Sequence, residues 1–145
     1  MKIKLIKFRD DLIKPVRAHY NDAGIDCYAQ EDFTLYPLDI KYGFTQYNQQ
    51  LVPLGFGLEI PDGYMVVIKP RSSMNVKGII TQIGTIDSGY RGELKAYFIN
   101  TSNTRYEFHR GDKICQIVIE PVVLADLVED LGDERGAGGF GSTGR

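Results

Sequence analysis

A chain of 145 residues with 43% apolar residues has the size and composition of one domain with a real core. A formal net charge of −2 gives no basic excess for stable nucleic-acid binding, and no apolar run approaches the roughly 18 residues that cross a bilayer as a helix. Two cysteines and two histidines, at no metal-like spacing, argue against a zinc site and for reduced, buried thiols in a cytoplasmic protein.

The N-terminal segment KIKLIKF (2–8) sets Ile3, Leu5 and Lys7 against Lys2, Lys4, Ile6 and Phe8. This alternation predicts a strand, and without an apolar h-region it is not a signal peptide. AGIDCYA (23–29) has the alternation of a buried strand, interrupted by Asp26. An acidic residue on an apolar strand accepts backbone hydrogen bonds or faces a metal-bound water. PLDIKYGFTQYNQQ (37–50) has no clean period and reads as a loop or excursion. LVPLGFGLEI (51–60), the turn PDG and YMVVIKP (64–70) predict strand, tight turn, strand.

PRSSMNVKG holds the one helical segment, Ser72 to Lys77 between Pro70 and Gly78, with Ser72 as candidate N-cap. Arg71, Ser72 and Ser73 bring a cation, hydroxyls and N–H groups together, the parts of a phosphate site; the plainer alternative is a capped turn with a surface arginine. GTIDSGYRGE (84–93) places Asp87 between an apolar pair and a turn. It is either an ordinary turn aspartate or a carboxylate at a strand end, ionised at neutral pH and able to accept a proton from water. Tyr90 is either a packing aromatic or the wall of a small-molecule pocket.

ELKAYFINTS (93–102) predicts another strand, followed by TRYEF; RGD (110–112) then turns the chain into KICQIVIEPVV. Within it Gln116 shares a face with Ile114 and Val118, as a satisfied core amide or a ligand contact. Strands this short and frequent indicate an all-β sandwich or barrel. From Leu131 onward hydrophobic patterning stops. RGAGGFGSTGR (135–145) does not match the phosphate-loop pattern GxxxxGK[ST], yet it joins Arg135, five glycines, the ring of Phe140 and the hydroxyls of Ser142 and Thr143.

Taken in order, AGIDCYA, PRSSMNVKGI, GTIDSGYRGE, GDKICQIVI and RGAGGFGSTG resemble the five motifs of the trimeric deoxyuridine triphosphatases, the dUTPases. The matches span residues 23 to 144. The resemblance implies a jelly-roll-like β-barrel over residues 1–131, with one short helix, and a flexible C-terminal arm over 132–145 that closes on a neighbour's site. It implies a homotrimer with shared active sites. It also implies hydrolysis of dUTP to dUMP and pyrophosphate with Mg²⁺, which keeps uracil out of DNA and supplies dUMP.

Residue by residue, Asp87 matches the aspartate that activates the water attacking the α-phosphate. Tyr90 matches the tyrosine under the deoxyribose, which excludes a 2′-hydroxyl. Gly84, Thr85 and Ile86, with Lys95 on the next strand, match the segment that reads uracil through main-chain groups. Arg71, Ser72, Ser73 and Gln116 match phosphate contacts, and Asp26 matches the aspartate that holds the metal through water. Arg135 matches the arm arginine on the γ-phosphate, Phe140 the aromatic over the uracil, and Gly141, Ser142 and Thr143 follow it onto the terminal phosphates.

The resemblance has four departures. Thr81 stands where an asparagine often orients the base, Ser73 replaces a frequent glycine, Gly89 a frequent aspartate and Cys27 a leucine. A related deaminase chemistry on the same fold needs a glutamate where this chain has Tyr97, so no deamination of dCTP is expected. A second alternative is a binding protein that regulates another protein through the 37–50 excursion. A third is a β-barrel with an inert tail.

Overall fold

Runs of β-branched and aromatic residues, cut by glycine, proline and aspartate turns, form eleven strands and one helix in the computed structural model, which describes residues 1–38 and 47–132. In chain order these are β1 (Lys4–Lys7), β2 (Ile25–Tyr28), β3 (Phe33–Leu35), β4 (Gln49–Pro53), β5 (Phe56–Glu59) and β6 (Tyr64–Lys69). Then come α1 (Ser72–Val76), β7 (Ile79–Thr81), β8 (Gly84–Ile86), β9 (Lys95–Asn100), β10 (Tyr106–Phe108) and β11 (Lys113–Pro121). The reading of an all-β fold with one short helix holds. Among the described residues the strands make four antiparallel sheets around a shared core, β2-β11-β6-β8, β4-β9-β7, β1-β5 and β10-β3, rather than one closed barrel.

β11 is the spine of the largest sheet. It pairs with β6 from Gln116↔Lys69 to Pro121↔Tyr64 and with β2 through Cys115↔Cys27, Gln116↔Asp26 and Ile117↔Ile25. Phe56, Phe98, Leu35, Leu54, Ile114 and Ile117 are fully buried between the ladders. Phe33 stacks on both Phe98 and Phe108, at 5.9 and 4.8 Å between ring centroids. The buried amide of Asn100 is satisfied by the carbonyls of Leu35, Tyr36 and Thr104.

Three local readings are corrected. Segment 51–60 is two strands, because Gly55 takes φ 81° and turns the chain from β4, paired with β9, into β5, paired with β1. Gln49 and Gln50 belong to β4 rather than to the excursion, of which residues 39–46 lie outside the described residues. Ser72 is the first helical residue; the N-cap is Arg71, with no side-chain capping bond, while Gly78 ends the helix at φ 76°.

The last strand stops at Pro121, and the segment beyond it exposes Val123, Leu124, Leu127 and Leu131 almost fully. Among the described residues no helix is long and apolar enough to cross a membrane.

Candidate active site

The end of β8 builds a pocket of about 280 Å³ lined by Gly84, Thr85, Ile86, Asp87, Tyr90 and Lys95, with Ile68, Glu93 and Leu94 behind them. Ile86 is buried and anchors β8, so Asp87 emerges at the strand end with its carboxylate exposed and no side-chain partner among the described residues. The turn closes through the Tyr90 N–H donating to the Asp87 carbonyl at 3.1 Å. The Tyr90 hydroxyl donates to the backbone oxygen of Glu93 at 2.9 Å, which holds the ring against the pocket. A side chain at 84 would meet nothing within 4 Å, so this wall is bare backbone, able to approach a ligand with its own N–H and C=O groups.

Two glycines that sequence reasoning did not single out support this wall. A Cβ at Gly92 would lie 2.5 Å from the Tyr90 hydroxyl oxygen, and one at Gly57 would lie 2.5 Å from the Gly92 oxygen. Glu93 adds a third support, its carboxylate accepting the Gly55 N–H at 2.9 Å. All but Gly57 lie in or beside the GTIDSGYRGE stretch; only spatial neighbours reveal their purpose.

A second cluster sits where β2 meets β11. Asp26, its side chain 18% exposed, pairs with Lys113 Nζ at 3.1 Å and with Arg71 Nε at 3.7 Å. Arg71 also donates to the Lys113 carbonyl at 3.2 Å and reaches the Ser73 hydroxyl at 3.5 Å. Gln116, in register with Asp26, donates to the Pro70 carbonyl at 2.9 Å. Its side chain lies where any Cβ at residue 24 would be, so Gly24 is required there. Arg71, Ser73, Lys77 and Lys113, together with Glu107 and Asp112, line a shallow polar cavity of about 330 Å³. Lys77 and Lys113 are two cations that sequence reasoning missed, although each lies inside a quoted motif.

The structure thus brings the predicted residues into two groups. Gly84, Thr85, Ile86, Asp87, Tyr90 and Lys95 share one pocket; Arg71, Ser73, Asp26 and Gln116 share the other region, with Ser72 exposed beside them. No residue lines both cavities. Thr81 joins neither lining: strand alternation turns it inward, 4% exposed, with its hydroxyl unpartnered among the described residues. Tyr97 is half-buried and donates its hydroxyl to Gln49. Arg135, Phe140, Gly141, Ser142 and Thr143 lie outside the described residues.

Among the described residues no three His, Cys, Asp and Glu side chains gather as a metal cluster. Asp26 nonetheless has hard carboxylate oxygens, now held by Arg71 and Lys113, in register with Gln116. One carboxylate with waters and ligand phosphates is the donor set that suits Mg²⁺, so these residues fit that ion.

A family model described as dUTPase matches residues 10–144. The deoxyuridine 5'-triphosphate nucleotidohydrolase of Nautilia profundicola is 42% identical over the whole of both chains. That of Anaeromyxobacter sp. is 46% identical over 85% of this chain and 82% of its own. The dUTPase of Staphylococcus bacteriophage 80alpha, solved with dUPNHPP, superposes with a TM-score of 0.76 at 25% identity, covering 99% of each chain. A mutant dUTPase from phage phi11 of S. aureus, whose structure concerns a structural Mg(II) ion, gives a TM-score of 0.77 at 22% identity over 90% of this chain and 99% of its own.

Proposed function

Since this chain belongs to the dUTPase family, we propose that it hydrolyses dUTP to dUMP and pyrophosphate by attack of water on the α-phosphate. The observation that carries this reading is the exposed Asp87 carboxylate, without a side-chain partner among the described residues, on the rim of a pocket walled by Tyr90 and by the bare backbone of Gly84. Uracil is read by main-chain groups of Gly84 to Ile86, with Lys95 alongside. The Tyr90 ring lies under the deoxyribose and leaves no room for a 2′-hydroxyl. A close backbone slot discriminates thymine better than an apolar cavity, where one methyl is worth only about 1–3 kcal/mol.

Asp87 orients the attacking water and takes its proton. Phosphoryl chemistry needs charge neutralisation more than covalent help. Arg71, Lys77 and Lys113 supply cations, and Ser72, Ser73 and Gln116 supply hydrogen bonds to the phosphate oxygens. Asp26 would hold Mg²⁺ through water, and the ion, when bound, would supply further neutralisation of the phosphates. Arg135, Phe140, Gly141, Ser142 and Thr143 add contacts to the γ-phosphate, the base and the terminal phosphates, and their closure excludes bulk water.

A homotrimer with shared sites accounts for two features of the single chain. The nucleoside pocket and the cationic cavity have no lining residue in common. The run from Val123 to Leu131 exposes more apolar surface than a lone chain needs to. The buried free thiols suit a reducing cytoplasm.

The test is pyrophosphate release from dUTP, dTTP, dCTP and UTP with Mg²⁺, comparing wild type with Asp87→Asn. Fast release from dUTP alone, lost in the variant, is expected. Equal rates in the two proteins, or ammonia released from dCTP, would refute the reading.

A further inference from the structure

Cys27 and Cys115 have no part in the site described above. They stand directly opposite each other on β2 and β11, 1% and 0% exposed. The main-chain pattern defines their pairing. Asp26 exchanges both of its hydrogen bonds with Val16, at 2.9 and 3.0 Å, so its N–H and C=O point away from β11. Those of Cys27, one residue on, therefore point toward β11, making Cys27 and Cys115 a hydrogen-bonded antiparallel pair. Such pairs have Cα atoms about 5.5 Å apart, inside the range that a disulfide spans.

The Cys27 thiol donates to the Ile25 carbonyl at 3.7 Å, and the neighbouring Cys115 thiol, followed by burial, raises it well above its ordinary value. Closed in this way they are unreactive. The strand that covers them is one of the two edge strands of its sheet. β2 has four residues, lies at the sheet edge, and is held on its outer side by the single Val16↔Asp26 bridge. Local opening of such an edge uncovers both sulfurs without unfolding the core.

We propose that Cys27 and Cys115 are an oxidisable dithiol that closes to an intramolecular disulfide in the presence of a low-molecular-weight disulfide such as oxidised glutathione. When β2 opens, one protein thiolate attacks the small disulfide and releases one small thiol, leaving a mixed disulfide. The second protein thiolate displaces the other small thiol. Two protein thiols lose two electrons and two protons; the small disulfide gains them as two thiols.

Closure acts on the site next door. Directly opposed residues have Cβ atoms up to about 5.5 Å apart, whereas a disulfide needs about 3.5–4.5 Å, so the bond draws β2 onto β11. The adjacent register pair is Asp26 and Gln116. Their shift lowers dUTP hydrolysis, a consequence that rests on the functional reading above.

The experiment treats full-length protein with oxidised glutathione, traps thiols with N-ethylmaleimide in denaturant, and measures mass, peptide linkage and dUTP turnover. Expected are a species two hydrogens lighter that takes no maleimide, a Cys27–Cys115 linked peptide, and a several-fold loss of turnover restored by dithiothreitol. NMR of the Gln116 side-chain amide should shift on oxidation. Cys27→Ala and Cys115→Ala should each retain untreated turnover and resist the loss.

Full maleimide labelling after treatment, or glutathione adducts without the link, would overturn the dithiol. A formed link with turnover and the Gln116 resonance both unmoved would overturn the coupling. An untreated wild type that does not hydrolyse dUTP refutes the functional reading instead; mass and NMR still decide the rest.

Discussion

The Tyr90 hydroxyl donates to the Glu93 backbone oxygen at 2.9 Å across a turn in which Gly92 has no room for a side chain. The ring can lie against the pocket only because residue 92 is glycine. Gly92→Ala should displace the ring. We expect dUTP kcat/KM to fall about 100-fold, the cost typical of a misplaced positioning group, and UTP to be excluded less well. Steady-state kinetics with the two nucleotides checks this. Tyr90→Phe, which loses one hydrogen bond worth about 1 kcal/mol, should cost only several-fold.

The Asp87 side chain is exposed and has no side-chain partner among the described residues. Asp87→Asn should leave Tm unchanged while kcat falls by about 10²–10⁴, the range for loss of a general base. KM should change little. Differential scanning calorimetry and single-turnover kinetics separate the two effects.

Gly84 and Gly24 should behave in opposite ways. A Cβ at 84 meets open pocket, so Gly84→Ala should keep its Tm yet bind a non-hydrolysable dUTP analogue about tenfold more weakly, a steric cost of roughly 1–2 kcal/mol.

A Cβ at 24 collides with the Gln116 amide and must break its bond to the Pro70 carbonyl. Gly24→Ala should therefore lower stability by about 1–3 kcal/mol in urea titrations, besides impairing turnover.

The Arg9 guanidinium, which hydrogen-bonds Asp11 and also reaches Glu31, lowers the Asp11 carboxyl to about 2. A depressed folded pKa contributes stability that is fully present above the unfolded value of about 3.9. That contribution is lost as pH falls toward about 2. In Arg9→Ala the Asp11 carboxyl should titrate at a higher pH, nearer its ordinary range, as read by NMR of its carboxyl carbon.

Much of the fold is legible because its signals are local. Alternation in KIKLIKF, the turn residues of PDG and RGD, and the β-branched run Ile114 to Ile119 each specify an element within a few residues. The break at Gly55 was not legible, since nothing in LVPLGFGLEI shows that its halves pair with different partners, β9 and β1. Thr81 reads as a base contact by position, yet the inward face of β7 places it in the interior.

By itself the sequence determined the family and the strand-rich class, and it singled out Asp87, Tyr90, Arg71, Gln116 and Asp26 as candidate site residues, because motif order and periodicity are properties of neighbouring residues. Only the tertiary structure decided that Asp87 and Tyr90 line one cavity and Arg71 another, that Lys77 and Lys113 stand beside Arg71, that Gly24 and Gly92 make room for Gln116 and Tyr90, and that two cysteines 88 positions apart meet across β2 and β11. Each depends on strand register and on which side chain occupies a shared volume. Those are relations between segments distant in the chain, set by the packing of the whole core.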